Sequence, residues 1–306
     1  MKKTNLLKPI ALSVMLAFSA NEGVLAAKND HKATQEAVQQ QVQSAGDKAI
    51  ARKEAEAIKE ALDAVLATRA ALDALDQGKT KEALAHLEIV NGKLSLLLAR
   101  YPELGLIPVS SEAVIIDYEG DLKSIKQAIK KVEDLLDDNE VQKARELLGT
   151  LASEIRITTT NLPLALYPDA MKDIAPLIDQ GKIKEAKEAL MAALNTLVIT
   201  ESVIPLPVLR AEAMVRKVYE EAHSKDPNPD EMLGYLKSAK YQLEIAQTLG
   251  YGDIDKDYKP LYKAIDKLED QAKSKKWGET FDEAINKLKK ALEGFKADIA
   301  EPKKTK

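Results

Sequence analysis

A short segment occurs three times in this chain, and it constrains the fold more than any other feature of the sequence. The copies align without a gap: Leu75–Leu94, Leu136–Ile155 and Ile178–Leu197. Each begins with a branched aliphatic residue and an aspartate, and its fourth residue tolerates the left-handed backbone that ends many helices. These fourth residues are Gly78, Asn139 and Gly181. The pattern predicts that one helix ends and another begins at the same place in every copy.

Alanine and leucine at fixed places in each copy predict close packing of the second helix. The ninth residue is alanine in all three: Ala83, Ala144 and Ala186. One turn later the same face carries a leucine, which we expect to be buried: Leu87, Leu148 and Leu190. Weaker copies are centred on Ala239 and on Ala284. Because the clear copies begin at residues 75, 136 and 178, their spacing lacks the fixed period of about 34 residues of a tetratricopeptide array. We therefore expect a mainly α-helical bundle of hairpin repeats.

Three connectors between the hairpins differ in composition, because they are rich in β-branched residues and bounded by turn or proline signals. They are Ser110–Tyr118, Ile155–Asn161 and Leu197–Val203. Such segments favour extended strands, and we predict that they form a small β element that caps the helices. The alternative is that they are extended linkers. After the second connector, a helix pair is predicted at Asp169–Gln180 and Lys182–Leu197.

The N-terminus has the pattern of a secretory signal. Three lysines surround the start of the chain, an apolar run follows at Ile10–Ala20, and Val24–Ala26 offers small residues for cleavage. The apolar run is shorter than the roughly 20 residues of a membrane span. We predict a signal peptide at residues 1–26, cut after Ala26, which delivers a chain without a membrane span to the periplasm. An uncleaved signal anchor is the alternative.

Four segments are predicted after the signal peptide. Residues 27–46 form a flexible glutamine-rich leader, and residues 47–207 form the hairpin repeats with their β and proline connectors. Residues 208–298 form further helical hairpins of the same globular unit, and residues 299–306 form a basic tail. These boundaries follow the changes in polarity and helical periodicity along the chain.

Composition excludes several classes of protein. The chain has no cysteine, so its stability must come from an apolar core instead of disulfides. With 45% hydrophobic residues, the chain has enough apolar side chains to form such a core. The formal net charge of −4 argues against a nucleic-acid groove, which needs a concentrated basic face.

Several separate motifs resemble the YfdX family of exported bacterial proteins. They occur in the family's order: ITTTNLPLALYPDA at Ile157–Ala170, LIDQGKIKEAKEAL at Leu177–Leu190, NTLVITESVIPLPVLRAEA at Asn195–Ala213, YQLEIAQTLGYG at Tyr241–Gly252 and DYKPLY at Asp257–Tyr262. The resemblance extends over roughly residues 57–268. It implies a mainly helical, periplasmic protein associated with acid or drug stress. It brings no established reaction and no agreed catalytic residues.

Candidate catalytic and metal-binding motifs are incomplete. Three aspartates alternate like the start of a calcium loop: Asp253, Asp255 and Asp257. However, Tyr258 and Ala264 stand where such a loop needs glycine and glutamate. The three histidines have no second histidine at ligand spacing: His31, His86 and His223. We therefore predict no catalytic residue, no metal, no cofactor and no enzymatic activity. A hydrolase with a cryptic pair of carboxylates is the enzymatic alternative.

Eight residues are candidates for binding a ligand or partner: Thr158, Thr159, Thr160, Asn161, Tyr167, Asp169, Arg210 and Tyr241. Alternation along an extended segment turns some threonine hydroxyls inward, where they can line a cleft beside the helix start at Asp169. The structural alternative is that these polar residues cap that helix and pair with the neighbouring connector. If Arg210 is buried, it needs a carboxylate partner, and we expect Glu103 or Asp169.

The leading functional hypothesis is a non-catalytic, chaperone-like binding protein that acts in stress. Its partners would be protein clients or small molecules of the envelope, recognised by hairpin surfaces or by the connector cleft, and a homo-oligomer is compatible with the sequence. The alternative is a small-molecule or envelope-component binding protein that uses the Thr158–Asn161 cleft. Because both hypotheses lean on family resemblance, they are partly analogy.

Overall fold

The computed structural model describes residues 44, 48, 58–275 and 277–300, which form helices around one small sheet. Several predictions fall outside the described residues: the signal peptide at 1–26, the leader at 27–46 apart from residue 44, the helix start near residue 47, and residues 301–306 of the tail. His31 also lies there.

Helical hairpins and single strands alternate along the first two thirds of the chain. In order, the elements are α1 (Lys59–Asp76), α2 (Thr80–Arg100), β1 (Leu106–Ile116), α3 (Leu122–Asp137), α4 (Val141–Gly149), β2 (Glu154–Pro163), α5 (Tyr167–Lys172), α6 (Ile174–Asp179), α7 (Ile183–Leu194) and β3 (Val198–Pro205). The last third is helical: α8 (Leu206–Ala222), α9 (Pro229–Thr248), a π-helical turn at Ile254–Tyr258, α10 (Lys259–Lys273) and α11 (Glu279–Ala300). The predicted fold class, mainly α with a small β element, is confirmed.

The three repeated turns share one backbone geometry. The φ angle is positive at the fourth residue of each copy: +72° at Gly78, +59° at Asn139 and +71° at Gly181. The next residue donates its N–H to the carbonyl five positions earlier: Lys79 to Ala74 at 2.8 Å, Glu140 to Leu135 at 2.8 Å, and Lys182 to Leu177 at 2.9 Å. These bonds form Schellman caps, so the sequence repeat corresponds to a structural repeat.

The predicted helix Asp169–Gln180 is interrupted, because α5 and α6 are separated at Asp173. The break follows from Pro176, which lacks the N–H that would bond the carbonyl of Lys172 and whose ring crowds that carbonyl. Its partner is shorter than predicted and spans Ile183–Leu194.

The connectors form one antiparallel sheet in the order β1-β2-β3, as predicted. Strand β1 carries an irregularity between Pro108 and Ser110, while β2 and β3 pair without a break. Ile155 and Ile157 of β2 are buried in a small cluster with residues of α8. Leu162, near the other end of β2, packs into the core formed by the N-terminal helices.

Two larger cores contain all the described helices except α3 and α4. The first joins α1 and α2 to α5, α6 and α7, and the second joins the helices from α8 to α11. In the first core, α1 packs against α7, while α2 packs against α5 and α6. The first and third repeat copies therefore bury each other, with Ala83, Leu87, Ala186 and Leu190 inside.

The middle copy departs from this arrangement. Ala144 is buried as predicted, but Leu148 is exposed, so the prediction for Leu148 is wrong. The reason is that only Ile125 and Val132 of α3 and Ala144 of α4 are buried. No second hairpin covers the turn end of this copy among the described residues.

Among the residues that the structure describes, no helix combines the length and the apolar character needed to cross a bilayer.

Candidate functional site

Polar and charged side chains converge where the sheet meets the C-terminal helices. We call this group the junction network: Asp117, Ser153, Glu154, Arg156, Arg210 and Tyr251. Ser153 and Glu154 are buried, at the start of β2. Asp117 follows β1, Arg210 lies on α8, and Tyr251 lies in the loop after α9. The network thus connects elements from both cores.

Glu154 is the acceptor in one half of the junction network. Its Oε2 accepts the Tyr251 hydroxyl at 2.7 Å, and its Oε1 accepts two Arg156 nitrogens at 3.0 and 2.8 Å. Burial raises the pKa of the Tyr251 phenol, and the bond to Glu154 raises it further. The same carboxylate raises the pKa of Arg156. Tyr251 is therefore a neutral donor and Arg156 a fixed cation.

Asp117 is the acceptor in the other half. The Ser153 hydroxyl donates to its Oδ1 at 2.6 Å, and Arg210 pairs with both of its oxygens. The expected carboxylate for Arg210 is thus present, but it is Asp117 instead of Glu103 or Asp169. The two halves are joined because the Ser153 N–H donates to the Tyr251 hydroxyl at 3.0 Å.

The junction network is internally satisfied. Two carboxylates face two guanidinium groups, and each of the four carboxylate oxygens accepts at least one bond from within the network. A buried carboxylate that is left without donors is strongly destabilising, so this arrangement suits a structural connection between the sheet and the helices. It leaves no carboxylate oxygen of the network without a protein donor.

The predicted polar run lies along β2, and its residues divide between the two faces of the sheet. On one face, Thr159 hydrogen-bonds Ser111 at 3.0 Å, and Asn161 donates to Thr200 Oγ1 at 3.0 Å and to the Val198 carbonyl at 3.1 Å. These bonds pair the run with its neighbouring connectors. Thr158 and Thr160 make no side-chain hydrogen bond with any residue that the structure describes.

The other four predicted residues are dispersed. Tyr167 is fully buried in the first core, and its hydroxyl donates to Thr68 Oγ1 at 2.8 Å, while burial raises its pKa. Asp169 is exposed and pairs with Lys172 at 2.8 Å. The Tyr241 hydroxyl accepts the Leu122 N–H at 3.2 Å, where α9 meets α3. Arg210 belongs to the junction network. The structure therefore does not gather all eight into one cleft, and their role in binding stays a prediction.

Sequence reasoning missed most of the junction network. Tyr251 lies between two glycines with positive φ, Gly250 and Gly252, and this unusual local sequence was its one available signal. Glu154 and Ser153 carry no local signal, since their partners lie far away in the chain.

Two of the alternating aspartates, Asp253 and Asp257, accept backbone N–H groups. Asp253 accepts the N–H groups of Asp255 and Lys256 at 2.9 and 2.8 Å, and the Lys256 bond contributes most to the lowered pKa of Asp253. Within the described part of the chain, no three or more histidine, aspartate or glutamate side chains cluster closely enough to hold a metal ion.

Comparison with known proteins gives one family match. Residues 64–203 match the family model described as YfdX protein. No curated protein matches the chain. Among solved structures, a crystal structure of YfdX from Salmonella Typhi is similar at 16% sequence identity. That match covers 49% of this chain and 93% of the solved chain, with a TM-score of 0.35.

Proposed function

Because residues 64–203 of this chain match the YfdX family model, we propose that it is a non-catalytic, stress-associated binding protein of the bacterial envelope with a chaperone-like role. Its location would be the periplasm, as the pattern of residues 1–26 predicts. Its partners would be unfolding proteins that expose apolar segments. The family match supports the resemblance to YfdX proteins. The chaperone-like activity is our inference from the exposed apolar side chains of the first hairpin.

The observation that carries this proposal is an apolar surface on the first hairpin. Leu62 and Leu66 lie one turn apart on α1, and Ile89 and Leu96 lie two turns apart on α2; all four are exposed. Such spacing places each pair on one side of its helix. Single exposed leucines are ordinary, whereas apolar residues that share a face are typical of binding surfaces.

Charged side chains also lie on the two helices that carry this apolar surface. Lys93 pairs with Asp63 at 2.9 Å, and Arg100 pairs with Glu60 at 2.7 Å, so ion pairs bridge α1 and α2. These pairs keep the two helices in register beside the exposed side chains. A rigid surface with apolar centres and charged edges suits weak binding of extended, partly unfolded chains.

Aggregation of an acid-treated client protein tests the proposal. We expect the full chain to reduce light scattering by the client between about pH 3 and 7, and a Leu66→Lys, Ile89→Lys variant to lose most of this effect, because burying a lysine against an apolar client is unfavourable. Asn91→Lys, Ser95→Lys is the matched control, since it adds the same two positive charges on another exposed side of α2. The proposal fails if the wild-type chain leaves scattering unchanged, or if the control variant loses as much activity.

A second candidate is a small-molecule binding protein that uses the open face of the sheet. Thr158 lies opposite Glu112 on β1 and opposite Glu201 on β3, so these three side chains share a face. Glu201 and Glu112 are both exposed, and so is Ile199 nearby. Two carboxylates beside a hydroxyl and an apolar side chain fit a cationic amphiphile.

Thermal-shift measurements with cationic amphiphiles at neutral pH distinguish this second candidate. A ligand that binds the folded state raises the melting temperature, and we expect Glu112→Gln, Glu201→Gln to remove the shift. Leu66→Lys, Ile89→Lys should leave the shift intact. Equal shifts for wild type and the glutamine variant would eliminate the sheet face as the site.

A further inference from the structure

The middle hairpin exposes the residues that the other two copies bury. Leu136 is 47% exposed, whereas its counterparts Leu75 and Ile178 are 3% and 5% exposed. Leu148 is 50% exposed, whereas its counterparts Leu87 and Leu190 are 1% and 0% exposed. Val141, between them at the start of α4, is 53% exposed. The same sequence positions therefore form a buried contact in two copies and an open apolar face in the third.

The first and third copies show what this face contacts when it is covered. The first helix of one copy lies on the second helix of the other, since α1 packs against α7 and α6 packs against α2. This reciprocal arrangement is approximately two-fold. An ion pair between Asp76 and Lys187 closes one of its edges. Asp76 is the second residue of its copy, and Lys187 is the tenth residue of its own.

The middle copy carries both halves of that ion pair. Asp137 is its second residue and Arg145 its tenth, so they correspond to Asp76 and Lys187. Both are exposed, and neither forms an ion pair with a residue that the structure describes. A face with one acid, one base and a leucine pair at these positions is complementary to itself.

We propose that two copies of this chain associate through the turn end of the α3–α4 hairpin, defined by Leu136, Asp137, Val141, Arg145 and Leu148. The contact reproduces between two chains the pairing that the first and third repeats make within one chain. In a two-fold interface every contact occurs twice. Asp137 of each chain therefore pairs with Arg145 of the other, while the exposed leucines are buried together.

The second copy of the chain is favoured over other occupants by this self-complementarity. A membrane surface would select a face without the acid, and an extended client would not require the acid and base to lie at positions equivalent to Asp76 and Lys187. The proposal goes beyond the client-binding role, because that role uses α1 and α2 instead.

Sedimentation of the full chain over a range of concentrations tests the apolar part of the interface. We expect self-association in the wild type, and Leu136→Asp, Leu148→Asp to weaken it by at least about tenfold, because buried aspartates would face each other across the two-fold axis. Leu98→Asp, Met191→Asp is the matched control, because it places two aspartates at exposed apolar positions outside both proposed surfaces, and it should associate like the wild type. A wild-type chain that stays monomeric up to about 100 µM overturns the proposal, and so does an equal loss in the control.

Charge exchange tests the pairing itself and keeps the exposed leucines. Asp137→Arg places two like charges in each contact of its homodimer, and Arg145→Asp does the same with the opposite sign. We expect each variant alone to associate roughly tenfold more weakly than the wild type. An equimolar mixture should recover association, because both contacts of the heterodimer pair an arginine with an aspartate. In one contact the two substituted residues face each other, and in the other the native Arg145 of the first variant faces the native Asp137 of the second. If the mixture associates no better than either variant alone, the proposed pairing is wrong.

Discussion

Gly252 is the residue at which a single methyl group should disturb the C-terminal core most. Its φ is +78°, and an added Cβ would lie 2.2 Å from Phe295 Cε2. The Phe295 ring is itself packed edge-on against Tyr258, with centroids 5.1 Å apart, so it cannot move aside freely. We expect Gly252→Ala to lower the free energy of unfolding by about 2–4 kcal/mol, measured by urea denaturation.

Gly250 provides the matched control for this prediction. Its φ is +85°, but an added Cβ would meet no atom within 4 Å. Gly250→Ala should therefore show only the backbone penalty of about 1–2 kcal/mol. Equal losses in the two variants would mean that the contact with Phe295 is not what constrains Gly252.

For single residues, the sequence could predict that a side chain requires a charged or hydrogen-bonding partner, but not which residue supplies it. The sequence was sufficient to predict that Arg210, if buried, requires a carboxylate, yet the carboxylate is Asp117. The hydrogen bond from Tyr251 to Glu154 joins residues 97 positions apart, and no periodicity connects such residues. Backbone conformation was predictable at Asn139 because a left-handed helix end restricts residue type locally.

At the scale of elements, Asn139 tests whether the three turns are equivalent. Asn139 adopts φ +59° where the other copies have glycine. Asn139→Ala should lower the free energy of unfolding by about 1 kcal/mol, because alanine is strained in this conformation. Asn139→Gly should raise it by a few tenths of a kcal/mol or leave it unchanged. A comparison of urea midpoints checks the order glycine, asparagine, alanine, and a different order would contradict the shared cap.

Tyr262 makes the contact between α9 and α10 sensitive to alkaline pH. Burial raises the pKa of its phenol to about 12, and its hydroxyl donates to Gln247 Oε1 at 2.8 Å. In the unfolded chain the phenol loses its proton near pH 10. The raised pKa therefore contributes stability that is fully present below about pH 10 and is lost as pH rises toward 12.

The measurement is the pH dependence of the free energy of unfolding. Tyr262→Phe lacks the hydroxyl and should be less stable than the wild type at pH 8 by about 1 kcal/mol. Between about pH 10 and 12 its stability should fall less steeply, because one titrating group is gone. Parallel curves for the two proteins would show that Tyr262 titrates as it does in the unfolded chain.

Hairpins and strands were predictable because their signals repeat within a few residues. The Schellman turns follow from the fourth residue of each copy, and the strands follow from β-branched connectors. Burial of whole faces was less predictable, as Leu148 shows, since it depends on which hairpin lies opposite. Pro176 divided a predicted helix because a missing N–H outweighed the apolar periodicity of Met171, Ile174 and Ile178.

At the scale of the whole molecule, the junction network couples the two cores. Four of its residues, from Asp117 to Arg156, lie within the stretch that matches the family model, while Arg210 and Tyr251 lie beyond it. Trp277 is the only tryptophan and packs against the C-terminal core. Its fluorescence therefore reports on that core, while far-UV circular dichroism reports on all helices.

Tyr251→Phe should uncouple the cores. The substitution leaves Glu154 Oε2 and the Ser153 N–H without the Tyr251 hydroxyl, a loss of about 1–3 kcal/mol for buried groups. In the wild type we expect the fluorescence and dichroism transitions in urea to coincide, as they do for cooperative unfolding. In Tyr251→Phe the loss acts between the cores, so the two transitions should separate. Tyr262→Phe removes a hydroxyl within the C-terminal core and should keep the two probes together. If the transitions still coincide in Tyr251→Phe, coupling between the cores rests on other contacts, such as the packing of α8 on β2.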